Sequence, residues 1–150
     1  MTFYHERLWA SAWVFISTAL VIPAALLVFL PINLTAGIIV AVVLYAGIVV
    51  FLVVTAPTIE VSATQFAAGR ARLPLEFVGE VEAFEGEEAR LERGPRLDAR
   101  AWLTIRGWVS PVVRVDVLDA QDPTPYWLVS TRHPRQMVDA LSAARAALSA

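Results

Sequence analysis

The feature that most constrains this chain is the stretch from Leu8 to Ile59, which contains no Asp, Glu, Lys or Arg. The hydrocarbon core of a bilayer is about 30 Å thick and is crossed by a helix of about 20 apolar residues, so this stretch has room for two spans. Pro31 and Asn33 interrupt it, since Pro cannot continue a helix and Asn favours helix caps. We therefore predict a transmembrane helical hairpin in residues 1–57, with spans at about 9–30 and 36–56, and a second domain in residues 58–150.

The arginines on either side of the hairpin predict its orientation. The turn between the spans carries no charge, whereas Arg7 precedes the first span and Arg70 and Arg72 follow the second. Positive residues are retained on the cytoplasmic side of a membrane. The sequence therefore predicts an inner-membrane protein with both termini in the cytoplasm.

The spans have the composition of an anchor rather than a transport pathway. Apart from Tyr45 they contain no ionisable acid or base, and intramembrane pathways usually need such groups. Gly37 and Ala41 have the small-residue spacing that lets helices pack closely. Four aromatic residues near the first span fit the headgroup layer, although a lipid- or quinone-binding site is the alternative. They are Phe3, Tyr4, Trp9 and Trp13.

The remainder of the chain predicts a small α+β domain. Thr58–Ser62 alternates apolar and polar residues as a strand does, and strand-like runs recur as far as Thr131. Pro134 then occupies a favoured first position of a helix, whose apolar stripe is Met137, Leu141, Ala144 and Leu148. We expect a small antiparallel partial barrel closed by this C-terminal amphipathic helix, which is a pleckstrin-homology-like arrangement.

A charged segment from Glu85 to Arg100 has two interpretations. Its arginines could bind a phosphate or a lipid headgroup, but the interleaved acidic residues largely cancel their field. The alternative is a solvated loop or short helix whose charges pair with one another.

Composition argues against most site chemistry. The chain has no Cys and no Lys, which removes thiolate sites, Schiff bases and P-loop chemistry. Its two histidines, His5 and His133, lie far apart and give no metal-ligand spacing. The net charge of −2 comes without a basic stripe, so no nucleic-acid partner is indicated. We predict no catalytic residue, no cofactor, no metal and no small-molecule substrate.

One segment carries the residue types that dominate binding surfaces. Tyr, Trp and Arg are typical of interaction hot spots, but aromatic residues also fill small cores. The segment is therefore either core or a partner surface, and Arg132 beside a helix start is its best single candidate for a contact. The candidate interaction surface consists of Tyr126, Trp127, Ser130, Thr131 and Arg132.

Three parts of the chain resemble a known family. They are Tyr4–Leu8 before the first span, the region of Leu73-Pro74 and Gly79-Glu80-Val81, and above all Asp122–Arg132 (Asp-Pro-Thr-Pro-Tyr-Trp-Leu-Val-Ser-Thr-Arg). These parts are similar to the actinobacterial membrane-protein family called domain of unknown function 3093. The resemblance covers nearly the whole chain. It implies two spans and a cytoplasmic domain, and it carries no activity.

These observations lead to two functional hypotheses. The first is a membrane-anchored, non-enzymatic interaction or scaffold module that contacts the bilayer and a protein partner. The alternative is binding or sensing of anionic lipid headgroups at the inner leaflet, through the arginines of residues 90–100.

Overall fold

The chain forms two compact units in a computed structural model that describes residues 2–148. One unit contains residues 9–56, and the other joins residues 2–8 to residues 57–148. The predicted division at residue 57 differs from this one at the N-terminus. The reason is that Phe3 and Tyr4 pack against the hydrophobic core of the larger unit.

The smaller unit consists of three helices: α1 (Ala12–Thr18), α2 (Val21–Phe29) and α3 (Leu34–Val54). The break between α1 and α2 comes from Pro23, which has no N–H to donate to the carbonyl of Ala19. The N–H of Ile22 donates to that oxygen instead, at 3.0 Å. Asn33 caps α3, as predicted, because its side-chain oxygen accepts from the N–H of Ala36 at 3.1 Å.

α2 and α3 approach closely at Gly37. A Cβ atom at this position would lie 2.9 Å from the Cβ of Phe29, so a larger residue would push the helices apart. Ala41 is buried one turn further along α3. The segments Ala12–Phe29 and Leu34–Val54, with mean hydropathies of 2.3 and 3.0, are long and apolar enough to cross a membrane by length and composition.

The larger unit begins with a four-stranded antiparallel sheet in the order β1-β2-β3-β4. Its strands are β1 (Thr2–Arg7), β2 (Thr58–Ser62), β3 (Gln65–Ala68) and β4 (Ala71–Pro74). β2 is found where the sequence predicts a strand, whereas Phe3 and Tyr4, which the sequence places in the headgroup layer, lie in β1. Arg7 pairs with Thr58, and the N–H of Leu8 donates to the carbonyl of Pro57 at 2.9 Å.

A 3-10 helix (Leu75–Phe77) leads into a second four-stranded sheet with the order β5-β7-β8-β6. Its elements are β5 (Val78–Phe84), α4 (Gly86–Arg93), β6 (Trp102–Thr104), β7 (Val112–Val117) and β8 (Tyr126–Ser130). β6 runs parallel to β8, whereas the sequence predicts antiparallel strands throughout. β8 lies between β6 and β7, so β6 does not pair with the strand that follows it in sequence.

The two sheets share one hydrophobic core with α5 (Pro134–Leu148). Phe66 of the first sheet, Val113 of the second and Leu141 of α5 are each 0 % exposed. α5 buries Met137, Leu141 and Ala144 as predicted, whereas Leu148, at the end of the helix, is 53 % exposed. The fold is therefore α+β, with N-terminal helices, two sheets and a C-terminal helix.

Candidate functional site

The segment singled out as an interaction surface lies mostly in the interior. Tyr126, Trp127, Ser130 and Thr131 are at most 5 % exposed, and only Arg132 reaches solvent. Both faces of β8 are covered, since Trp127 belongs to the main core while Tyr126 joins a second cluster on the opposite face of the sheet. Four of the five residues therefore occupy the core rather than an accessible surface.

The aromatic rings of this segment pack against other rings or a cation. The Trp127 ring lies 5.5 Å from that of Phe66 and 6.2 Å from that of Trp102, measured between centroids. On the other face of the sheet, the guanidinium of Arg114 lies 4.2 Å from the centroid of Tyr126. Such tilted aromatic pairs and cation–π contacts stabilise a packed sheet.

The buried hydroxyl groups of β8 have partners on the loops that flank β6. The hydroxyl of Tyr126 accepts a hydrogen bond from the N–H of Asp98 at 2.8 Å. The hydroxyl of Ser130 accepts from the N–H of Arg106 at 3.1 Å. These bonds fix the chain on either side of β6 to the centre of the sheet.

Four polar residues of the larger unit form a hydrogen-bonded group, which we call the Glu6 cluster: Tyr4, Glu6, Thr131 and Arg132. The hydroxyls of Tyr4 and Thr131 donate to Oε2 of Glu6 at 2.7 and 2.6 Å, and lie 2.9 Å from each other. The backbone N–H of Arg132 donates to Oε1 of Glu6 at 3.1 Å, and Nη1 of Arg132 lies 3.5 Å from the same oxygen. Strand β1 is thereby joined to the segment that leads into α5.

The placement of this carboxylate has an electrostatic reason. Glu6 is 9 % exposed, and burying a charge is costly unless it is paired and hydrogen-bonded. Here it accepts charge-assisted hydrogen bonds and lies beside Arg132, close to the positive N-terminal end of α5. The Glu6 cluster therefore joins segments from opposite ends of the chain, where sequence spacing gives no signal.

The Glu6 cluster has the groups of an acid–base site but not the access that one requires. Burial, and then the hydrogen bond to Glu6, raise the pKa of Tyr4 well above its usual value, so this phenol keeps its proton at a pH where an exposed Tyr ionises. Thr131, which donates to the carboxylate, is 0 % exposed, so a dissolved substrate cannot reach its hydroxyl. The arrangement serves as a structural connection between β1 and α5.

The raised pKa of Tyr4 predicts a loss of stability at alkaline pH. An unfolded Tyr ionises near pH 10, whereas the folded protein holds the proton to higher pH. The stabilisation is therefore complete below about pH 10 and is lost as the pH rises further, by less than about 1 kcal/mol per pH unit because Tyr4 is only half-buried. The free energy of unfolding, measured on the full chain by urea titration, should decrease more steeply above pH 10 for wild type than for Tyr4→Phe. Equal slopes would contradict this assignment.

The charged segment between β5 and β6 pairs mainly with itself. Arg90 lies 3.5 Å from Glu87, and Arg96 lies 2.6 Å from Glu88. Arg100 contacts Asp98 at 3.0 Å, and it holds the pKa of that carboxyl at about 2. The remaining arginine, Arg93, donates to the carbonyl of Ala89 at 3.1 Å. These contacts agree with a short helix whose charges pair internally.

One acidic side chain of this segment is buried. Glu92 is 4 % exposed and lies between Arg96 at 3.4 Å and Arg114 at 3.9 Å. Arg114 also contacts Asp116 at 3.1 Å, so a short charge network connects α4 to β7. The network holds α4 against the second sheet. Between residues 2 and 148, no three His, Asp or Glu side chains converge as metal ligands.

The second sheet has an exposed apolar edge at β6. In the described part of the chain β6 pairs only with β8, so its other edge is open. Trp102 and Leu103 on this strand are 43 % and 44 % exposed. They belong to a short, mainly apolar run that resembles a buried strand, so local sequence does not reveal their exposure.

The comparisons with known proteins place this fold in one family. A family model described as a protein of unknown function (DUF3093) matches residues 3–141, from within β1 to within α5. The matched region thus includes both flanks of the helices and the Glu6 cluster. No curated protein and no solved structure matches the chain.

Proposed function

The chain belongs to the DUF3093 family of proteins of unknown function, and we propose that it is a membrane-anchored, non-enzymatic interaction module. In this proposal α1–α2 and α3 cross the inner membrane as two spans, and the larger unit lies on the cytoplasmic side with both termini. The observation that carries the proposal is the pairing of β1 with β2 at the two ends of the helical unit.

This pairing restricts the topology of any membrane insertion. Leu8 and Pro57, joined by a 2.9 Å hydrogen bond, are the last residues before and the first after the helical unit. Both ends of that unit must therefore emerge on the same side of a bilayer, which requires an even number of spans. The two apolar segments supply that number. The positive-inside rule, applied to Arg7 and Arg70, favours the cytoplasm.

The domain supports a binding role better than a chemical one. Its buried polar groups, in the Glu6 cluster and around Glu92, hold elements together rather than line a cleft. Two sheets with a helix across a shared core also resemble a pleckstrin-homology-like arrangement, which we retain as part of the proposal. The open edge of β6, with exposed Trp102 and Leu103, is the surface that we propose for a protein partner.

The alternative of headgroup binding by the arginines of residues 90–100 finds less support. Arg90, Arg96 and Arg100 each contact an acidic neighbour within the same segment. A headgroup phosphate would have to displace those carboxylates. The β6 edge therefore remains the proposed site of interaction.

The chain contains no Cys, so single cysteines provide a clean test of topology and contact. Ile32→Cys lies between the helices, and Arg135→Cys lies on α5 with an 89 % exposed parent side chain. In intact bacterial cells, a membrane-impermeant maleimide should label Ile32→Cys, whereas Arg135→Cys should be labelled only after the membrane is opened. Labelling of both positions from outside would contradict the proposed anchoring.

The same approach tests the proposed surface. A photo-crosslinker attached to Leu103→Cys should give a discrete protein adduct in native membranes, because this residue lies on the open β6 edge. Arg90→Cys, whose parent side chain is 77 % exposed on α4, is the matched control and should give none. Identical adduct patterns at the two positions would remove β6 as the partner surface.

A further inference from the structure

We propose that the turn between β3 and β4, with Arg70 and Arg72, contacts the anionic lipid headgroups of the membrane that holds this chain. The inference rests on the membrane anchoring proposed above, but it concerns residues other than those of the predicted headgroup site. Arg70 and Arg72 lie well beyond the second apolar segment in sequence. The fold returns the start of their turn to Thr58, which follows the last residue of that segment by four positions.

Hydrogen bonding shows how the fold achieves this. Gly69 and Arg70 form a two-residue turn between the paired residues Ala68 and Ala71. Gly69 has a φ of 64°, which is the conformation that a type II′ hairpin requires at its first central position. The N–H of Gly69 donates to the carbonyl of Thr58 at 2.8 Å. The turn is therefore held beside the first residue of β2.

The chain connection between α3 and β2 limits how far this turn can lie from the membrane. The 21 residues of α3 span about 31 Å at 1.5 Å per residue, which matches the hydrocarbon core of a bilayer. Thr58 follows Val54, the last residue of α3, by only four positions. The field of an anionic leaflet extends over about 8–10 Å from its surface, so the long arginine side chains of a turn held at Thr58 can reach it.

The charges at this end of the sheet are positive and available. Arg70 and Arg72 are exposed, and within residues 2–148 neither forms an ion pair, in contrast to Arg90 and Arg96. The acidic residue nearest along the strand register is Glu60, which pairs with Ala67, the partner of Arg72. Glu60 is thus two strands away from Arg72, about 10 Å.

The chemistry of a lipid surface fits these features better than a single bound phosphate. An open turn with two spaced guanidinium groups has no enclosing walls and no buried donor. It suits a sheet of negative charge, to which each nearby arginine contributes separately. We therefore expect a preference for anionic over zwitterionic lipid, without affinity for free phosphate.

The test uses the full chain in vesicles of equal phosphatidylglycerol and phosphatidylcholine, followed by mild solubilisation and native mass spectrometry of retained lipids. Wild type should retain phosphatidylglycerol in several-fold excess, and high salt during solubilisation should reduce the excess. Arg70→Gln/Arg72→Gln should lose most of it. Arg90→Gln/Arg135→Gln removes the same charge from exposed positions elsewhere and should keep it.

Several outcomes would overturn the inference. They are an absence of lipid preference in wild type, its persistence in Arg70→Gln/Arg72→Gln, and an equal loss in the control variant. Elimination of the preference by added inorganic phosphate would indicate a phosphate site instead of a lipid surface. A chain that fails to enter vesicles would overturn the proposed anchoring as well, whereas a chain that enters without lipid preference would overturn this inference alone.

Discussion

Replacing Trp127 with Ala should lower the free energy of unfolding by about 3–5 kcal/mol, the usual cost of removing a large buried aromatic side chain. Trp127 is 5 % exposed, and its ring contacts Phe66 across the core that the two sheets share. The matched control is Trp102→Ala, because Trp102 pairs with Trp127 in the parallel register but is 43 % exposed. That substitution should cost no more than about 1 kcal/mol.

Pulse proteolysis of the full chain in detergent across a urea gradient measures both effects on the larger unit. This readout does not depend on tryptophan fluorescence, which the substitutions themselves alter. If Trp102→Ala lowered the free energy of unfolding as much as Trp127→Ala, this would contradict the assignment of Trp127 to the core and Trp102 to the edge. The same pair of variants separates stability from binding, since Trp102 lies on the proposed partner surface.

Glu6→Ala should destabilise the larger unit by about 3 kcal/mol. The substitution leaves the hydroxyls of Tyr4 and Thr131 and the N–H of Arg132 without their acceptor, and buried unsatisfied donors cost about 1–3 kcal/mol each before relaxation and water entry. Glu6→Gln keeps the shape of the side chain and one acceptor oxygen, so its free energy of unfolding should lie between those of wild type and Glu6→Ala. Glu80→Ala, at an exposed position on β5, serves as the control and should change stability by less than about 0.5 kcal/mol.

The Glu6 variants also test how β1 is held. If the Glu6 cluster joins β1 to the start of α5, amide hydrogen exchange in Glu6→Ala should accelerate in β1 before it does in β7. Uniform acceleration across both sheets would show that β1 has no separate attachment. Stability of Glu6→Ala equal to that of Glu80→Ala would contradict the structural role of the carboxylate.

Much of the secondary structure follows from local sequence. The apolar run from Leu8 to Ile59 predicts two long helices, and Asn33 marks the cap of the second. The strand-like run near Tyr126 is found as β8, Tyr126–Ser130. The period of Met137, Leu141 and Ala144 predicts the buried face of α5. These features depend on neighbours within a few positions, which a sequence displays directly.

The candidate site depended more heavily on tertiary structure. The sequence allows two interpretations of the charged residues 85–100, because composition does not show which carboxylate each arginine contacts. The aromatic segment at Tyr126 was likewise either core or surface, and this depends on what covers the second sheet. Exposure of Trp102 is a property of an edge strand, and strand order is not written in local periodicity.

The sequence by itself determined the apolar helices, most strands and the amphipathic C-terminal helix, because periodicity and turn chemistry act over short separations. Only the tertiary structure decided that β1 joins β2 across the helical unit and that Glu6 meets Thr131, 125 positions away. It also decided that Gly69, in the turn that carries Arg70, donates its N–H to the carbonyl of Thr58. Such contacts form where packing and hydrogen bonding offset the entropic cost of closing a long loop. A local sequence pattern does not show where this occurs.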